Sequence, residues 1–321
     1  MNNLSYSLIV SPVADSSFVA SYDHFIVSKG AEARSYIVCS QIDRLINIKN
    51  MIIFDSQMNQ DRLNHAENEL YNSLTDIITD KKIDNCLTVP AENTKLGVIL
   101  SKQCLPQTSR IALDISSMNF WELQDVIYYL LKVLKVPVLD VFYTEPDLYR
   151  YESVDITYYL HDDPLVSLNY PQNYYSTKTT EDEEIFVGIL GFQKHVLKLL
   201  QDNNEVADFY SINGFPSFYP KAKDISQVNN WDYLAQLQNS HKFSADASNP
   251  FLCYNTLADI HNVSRKAFMT ICPLGSKPML LGALLFVLKH DKNTRIVYPY
   301  NEYIHTKADG VGRTYCFRIM N

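Results

Sequence analysis

Residues suited to holding an anion lie in Ile271-Cys-Pro-Leu-Gly-Ser-Lys-Pro-Met279, where a strand-like run gives way to a long helical period. Gly275 permits close backbone approach, Ser276 is a natural N-cap, and Pro278 falls in the first turn, where its missing N–H costs nothing. A helix beginning there presents amide groups and a partial positive charge, and Lys277 adds a full one, so a phosphate can dock. Capping alone explains every residue except Lys277, so a plain turn with a solvated lysine is the competing reading. The G-x-x-x-x-G-K-[ST] spacing of a nucleoside triphosphatase is absent.

Two further turns have the same character. Leu113-Asp-Ile-Ser-Ser-Met-Asn119 follows an apolar run and opens a second helical period. Ser116 and Ser117 then present hydroxyls at the carboxyl end of a strand, where α/β proteins bind ligands. Asp114 either accepts from a ligand hydroxyl or caps the helix. Asp114 with Ser116 or Ser117 is also the candidate catalytic set, although no G-x-S-x-G elbow occurs. Gly188-Ile-Leu-Gly-Phe-Gln193 offers Gly191 for close approach, without the spacing of a dinucleotide fingerprint. His195 reads as a partly exposed helical residue, because no carboxylate partner is fixed by the sequence. Near the end, Tyr298-Pro-Tyr-Asn-Glu-Tyr303 and Gly310-Val-Gly-Arg-Thr-Tyr315 flank His305, Lys307 and Arg313. Aromatics beside cations suit a base-and-phosphate ligand, and an exposed hairpin equally.

These turns need strands and helices to hold them, and the periodicity supplies both. Ser35–Cys39 and Met51–Phe54 read as short strands, and Gln57–Asp80 as a helix with Leu63, Leu70, Leu74, Ile77 and Ile78 on one face. Arg110–Asp114 is a strand, Phe120 to Leu134 a helix, and Val136–Tyr143 a strand, which is a βαβ unit and forces a parallel sheet. The plan returns with strands at Ile185–Leu190, Ala207–Tyr210, Phe268–Cys272 and Arg295–Tyr298, and with helices at Gly191–Leu200, Trp231–Leu237, Tyr254–His261 and Lys277–Lys289. Tyr315–Ile319 closes the chain. The expected fold class is α/β: two Rossmann-like parallel-sheet halves packed together, in three layers α/β/α. The expected boundaries are 1–145 for the first half, 146–184 for an acidic Pro/Tyr-rich linker or edge insertion, and 185–321 for the second half.

Composition narrows the function. The 321 residues are 46% hydrophobic and 20% charged, an ordinary globular balance. The net charge of −8 provides no chain-wide basic surface for duplex DNA. Only residues 251–321 are net basic, at +5, so an anion is expected to be met there. The six cysteines are scattered, with no C-x-x-C or H-E-x-x-H, so no metal site and no cofactor is expected. No signal peptide and no apolar run of about 20 residues is evident, which points to a reduced, cytoplasmic protein away from membranes.

The turn Gly275-Ser276-Lys277-Pro-Met279 resembles the G-[TS]-K-x-M signature of CRISPR-associated Rossmann-fold (CARF/SAVED-like) nucleotide-sensor domains of bacterial antiphage defence. The resemblance implies a cyclic or linear oligonucleotide beside that helix, with the Asp114–Ser117 turn in the place of the first ligand loop. The resulting expectation is a sensor or regulatory subunit of a defence system, acting as a homodimer or with a defence-complex partner. Its ligand residues would be Gly275, Ser276, Lys277, Ser116, Ser117, Gly191 and Arg313. The alternatives are a nucleotide-processing hydrolase or glycosidase on the same scaffold, and a structural interaction subunit.

Overall fold

The computed structural model describes residues 5–6, 20–40, 46–55, 65–80, 83, 85–90, 96–103, 105–149, 167–179, 183–203, 205–265, 267–300 and 308–321. The chain divides into two compact units, residues 1–150 with 306–321 and residues 151–305. In the first, strands β1 (Ser5–Tyr6), β2 (Ala20–Ser28), β3 (Ile46–Asp55), β4 (Asn85–Pro90), β5 (Ile111–Asp114), β6 (Val138–Thr144) and β7 (Leu148–Tyr149) alternate with helices. The helices are α1 (Ile37–Ser40), α2 (His65–Asp80), α3 (Leu96–Lys102) and α4 (Phe120–Tyr128).

The second unit carries β8 (Ser167–Asn169), β9 (Glu184–Ile189), β10 (Asp208–Gly214), β11 (Lys242–Ala245), β12 (Phe268–Pro273), β13 (Thr294–Ile296) and β14 (Tyr298–Tyr300). Its helices are α5 (Val196–Asp202), α6 (Ala222–Asn229), α7 (Trp231–Leu234), α8 (Pro250–Val263) and α9 (Lys277–Lys289). The chain then re-enters the first unit as β15 (Ala308–Asp309) and β16 (Thr314–Met320).

Both main sheets share one topology. The first runs β1-β16-β6-β5-β2-β3-β4, and the second β11-β10-β9-β12-β13. The strands β2 to β6 are mutually parallel, as are β9 to β13. Counted in chain order, each set of five is arranged third, second, first, fourth, fifth, which is half-Rossmann winding with a reversal beside the first strand. Helices accompany both parallel sheets, so the fold is α/β with Rossmann-like α/β/α layering.

Burial explains the strand content. β5 and β12 are buried at every position and are apolar except for Asp114 and Thr270, as suits parallel strands covered on both faces. Helix α9 is buried over eleven successive residues, Pro278–Leu288. Leucine, methionine and alanine favour the helix, and each fully buried large apolar side chain contributes about 1.5–3 kcal/mol. Gly282 lets α8 cross close by, since a Cβ there would stand 2.2 Å from the Pro250 carbonyl oxygen.

Three expectations are corrected. Ser35–Cys39 is a 3-10 turn at Ala33–Tyr36 running into α1, and the strand that centres the sheet is β2 instead. A four-residue apolar run satisfies either pattern, and here the Tyr36 hydroxyl is drawn to Gly30, donating to its carbonyl at 2.7 Å and accepting from its amide at 2.9 Å. The closing strand β16 does not belong with the second half: it pairs antiparallel with β6 from Thr314↔Thr144 to Met320↔Val138. Part of the expected linker is docked on the second unit, where Pro171 and Tyr174 are buried and Ser176 Oγ donates to the Lys292 carbonyl at 2.7 Å. The rest of the expected linker, including 151–166, lies outside the described residues.

Candidate functional site

In each sheet the winding reverses between two adjacent parallel strands, so their exits leave a crevice at the carboxyl edge. In the first unit those strands are β2 and β5. Ser28, Lys29 and Gly30 leave one, and Asp114 to Asn119 leave the other. The two exits touch: a Cβ on Gly30 would stand 2.6 Å from both Ser117 Oγ and Ser35 Oγ, so only glycine fits. Those two serine oxygens are buried with no hydrogen-bond partner.

The polar groups around this crevice are largely committed to the fold. Asp114 is 1% exposed, and its Oδ1 accepts from the Ser116 amide at 2.9 Å, closing a local turn. The helix cap is instead Asn119, in a capping box with Glu122 at 2.9 and 3.0 Å. Ser116 is 0% exposed, and its Oγ accepts from the Thr144 amide at 2.8 Å. Lys29 pairs with Asp55 at 2.8 Å, and Tyr71 donates its hydroxyl to the same carboxylate. Ser28 Oγ donates to Glu122 at 2.9 Å. Carboxylates thus outnumber cations here, which suits ligand hydroxyl or amino donors better than phosphate.

Arg313 belongs to this unit, not to the Lys277 turn. It precedes β16, and its amide donates to Glu145 Oε1 at 3.0 Å, while the Tyr315 hydroxyl donates to Oε2 at 3.3 Å. Burial raises the Glu145 carboxyl above its ordinary range, the two hydrogen bonds and Arg313 opposing it. His305 and Lys307, expected beside Arg313, lie outside the described residues. Tyr298 packs on the second unit's core, where burial lifts its hydroxyl to about 12.

In the second unit the reversal falls between β9 and β12, and it brings together Gly191, Gly275, Ser276 and Lys277. A Cβ on Gly191 would stand 2.1 Å from the Leu274 carbonyl oxygen, so the two exits are in backbone contact. A Cβ on Gly275 would stand 2.9 Å from Ile189 Cγ2 and 3.1 Å from Met279 Sδ. Asn229 and Asn230 hold the first exit, donating to the Phe192 and Gly191 carbonyls at 2.7 and 3.0 Å. Gln193 Oε1, beside Gly191, is buried without a hydrogen-bond partner.

The helix α9 starts where the spacing predicts. Ser276 is its N-cap, accepting from the Met279 amide at 3.3 Å, with Lys277 and Pro278 in the first turn. Ser276 Oγ also donates to the Ala247 carbonyl at 2.5 Å, tying the turn to the segment after β11. Gly275, Ser276 and Lys277 are partly exposed, so an anion can reach them.

Two features escape the sequence. His195 does not lie inside a helix: it precedes α5 with φ 61°, and its Nδ1 is 3.2 Å from Asp232 Oδ2. Proximity across 37 positions leaves no local pattern. The β10 exit, Gly214-Phe215-Pro216, also joins this carboxyl edge, and the one available signal is an aromatic and proline cluster between a strand and a lysine-bearing helix. Among the described residues no group of three or more His, Cys, Asp or Glu could hold a metal ion, and no helix is long and apolar enough to cross a membrane.

No protein-family model matches the sequence, and no curated protein matches it. Among solved structures, the fold is similar to that of a type III CRISPR defence DNA nuclease activated by cyclic oligoadenylate, with a TM-score of 0.50 and 7% identity. The similarity covers 87% of this chain and 65% of the nuclease chain, so this chain spans less than two thirds of that protein's length. At this identity the likeness is one of fold: two half-Rossmann sheets whose carboxyl edges carry the candidate residues.

Proposed function

We propose that this protein is a nucleotide sensor or regulatory subunit of a defence system, binding an anionic, nucleotide-like signal at the second unit's winding reversal. The observation that carries the reading is the contact of Gly191 with Leu274, which sets Gly275, Ser276 and Lys277 at the open start of the buried helix α9. The helix start and Lys277 supply the charge complementarity a phosphate needs. Fold likeness to a nuclease activated by cyclic oligoadenylate makes that class of compound the first to try. A second copy or a defence-complex protein is proposed as the partner. A hydrolase reading on Asp114 and Ser116 has less to stand on, because both are buried and bonded into the sheet edge.

The test is thermal-shift and calorimetric titration with cyclic oligoadenylates, linear oligonucleotides and mononucleotides, followed by mass analysis of the ligand. Stabilisation without turnover is the expected outcome, and turnover would favour the enzyme. A charge-assisted hydrogen bond contributes about 1.5–3 kcal/mol, so Lys277→Ala should weaken binding roughly 10- to 150-fold. The melting temperature should hardly move, since alanine is a good helix former and the Ser276 cap remains.

A further inference from the structure

The β10 exit presents an aromatic ring to solvent beside a cation. Phe215 is 52% exposed, whereas Phe186 of β9 and Phe268 of β12 are buried. Its backbone is nevertheless fixed: the Phe215 amide donates to the Ala245 carbonyl at 2.7 Å, and the Ala247 amide to the Pro216 carbonyl at 2.9 Å. Ala247 is also the residue whose carbonyl accepts from Ser276 Oγ, so the β10 exit and the cap of α9 hang on one residue. Gly214 sits at the same junction, where a Cβ would stand 3.1 Å from Ala247 Cβ and 3.3 Å from Met279 Sδ. Lys223 Nζ lies 4.7 Å from the Phe215 ring centroid. Its helix is anchored by Asn213, which accepts from Ser226 Oγ at 2.8 Å and donates to the Lys223 carbonyl at 3.4 Å.

A large apolar ring left in water forgoes its burial free energy, and here it does so in a held position at the carboxyl edge. A ring on a fixed backbone beside an ammonium group stacks a planar base on its open face while the cation answers a phosphate. We infer that Phe215 is the base-stacking residue of the second unit's site, with Lys223 as its companion cation. The ligand class is therefore a phosphate-bearing compound with an aromatic base, in preference to a bare polyphosphate or sugar phosphate. This inference rests on the anion site proposed at Gly275–Lys277.

The experiment compares wild type, Phe215→Ala, Phe215→Trp and Lys277→Ala against a panel of cyclic and linear oligoadenylates and against inorganic tripolyphosphate. Phe215→Ala should weaken the tightest oligoadenylate about 5- to 150-fold and change tripolyphosphate by no more than about twofold. Phe215→Trp should retain the affinity, and Lys277→Ala should weaken both probes. Melting curves check that each variant is folded. If Lys277→Ala weakens binding while Phe215→Ala binds oligoadenylate as wild type, the stacking role is overturned and the anion site stands. If wild type binds no member of the panel, the anion site falls and the stacking role with it. If Phe215→Ala changes only self-association in sedimentation, the ring belongs to a protein interface, which also overturns the inference.

Discussion

Gly191→Ala should damage the second unit through one added methyl group. The residue's backbone is not in the left-handed region, so the effect is steric rather than conformational. The new Cβ would stand 2.1 Å from the Leu274 carbonyl oxygen and 2.8 Å from its carbonyl carbon. Ordinary contact is ~3.5 Å, so the two exits must part by more than about 1 Å, and both are backbone held by strand ladders. Overpacking typically costs ~1–3 kcal/mol; Gln193 Oε1, at 2.3 Å, can swing aside but the Leu274 backbone cannot, so the cost should reach about 3. For a unit of this size that lowers the melting temperature by roughly 6–12 °C. Gly97→Ala is the control: in α3 its Cβ would come no nearer than 3.4 Å, to Tyr129 Cβ, and helix propensity favours alanine by up to ~1 kcal/mol. Urea unfolding followed by a probe in each unit measures both. A Gly191→Ala variant within about 0.5 kcal/mol of wild type would refute the contact, and with it the geometry on which the candidate site depends.

Other expectations concern buried charge, pH and thiols. Arg295 donates to Glu184 at 2.7 Å and to Thr270 at 2.8 Å, so Arg295→Met should cost about 2–4 kcal/mol in urea unfolding, with Glu184→Gln in the same chain restoring most of it. Unchanged stability in the single variant would show that the pair is not held dry. Because burial raises the Glu145 carboxyl, the stability it contributes is complete below the ordinary glutamate range and is lost as pH rises through the raised value. Glu145→Gln should therefore match wild type in acid and exceed it near neutrality; an equal deficit at every pH would contradict this. Burial pushes the Cys253 thiol to about 12 and holds Cys39, Cys272 and Cys316 up as well, so alkylation of native protein should mark exposed Cys86 before any of these four. Equal labelling of Cys253 would mean that α8 opens readily.

The most legible parts were those where one strong period stands alone. Lys277–Lys289 starts and stops where its cap and apolar run say, because nothing competes with Ser276 and Pro278. The central strand β2 was missed because Tyr22, Asp23 and His24 interrupt its apolar alternation. In the fold Tyr22 donates to Asp140 at 2.8 Å and Asp23 pairs with Lys49 at 2.6 Å, partners that no local window contains. The misplacement of β16 has the same origin: Arg318 makes two bonds to Asp140, at 2.7 and 2.8 Å, across 178 positions. The candidate residues were legible as strand-to-helix turns but not as two groups, since nothing local says that Arg313 returns to the first unit. Phe215 carried no sequence signal of its own, because exposure depends on neighbours brought in by the fold.

The return of residues 306–321 to the first unit makes the order of synthesis matter. The entire second unit lies between β7 and β15 in the sequence, so a ribosome must finish it before β16 emerges. Until then, β6 keeps an open flank of backbone donors and acceptors, and the seats of buried Cys316, Phe317 and Ile319 stay empty. The second sheet draws all its strands from one continuous stretch and can close while the chain is still attached. Nascent first units therefore pass through a sticky interval whose length is set by the elongation rate across about 155 codons. A premature stop before the codon for Thr314 would make that interval permanent.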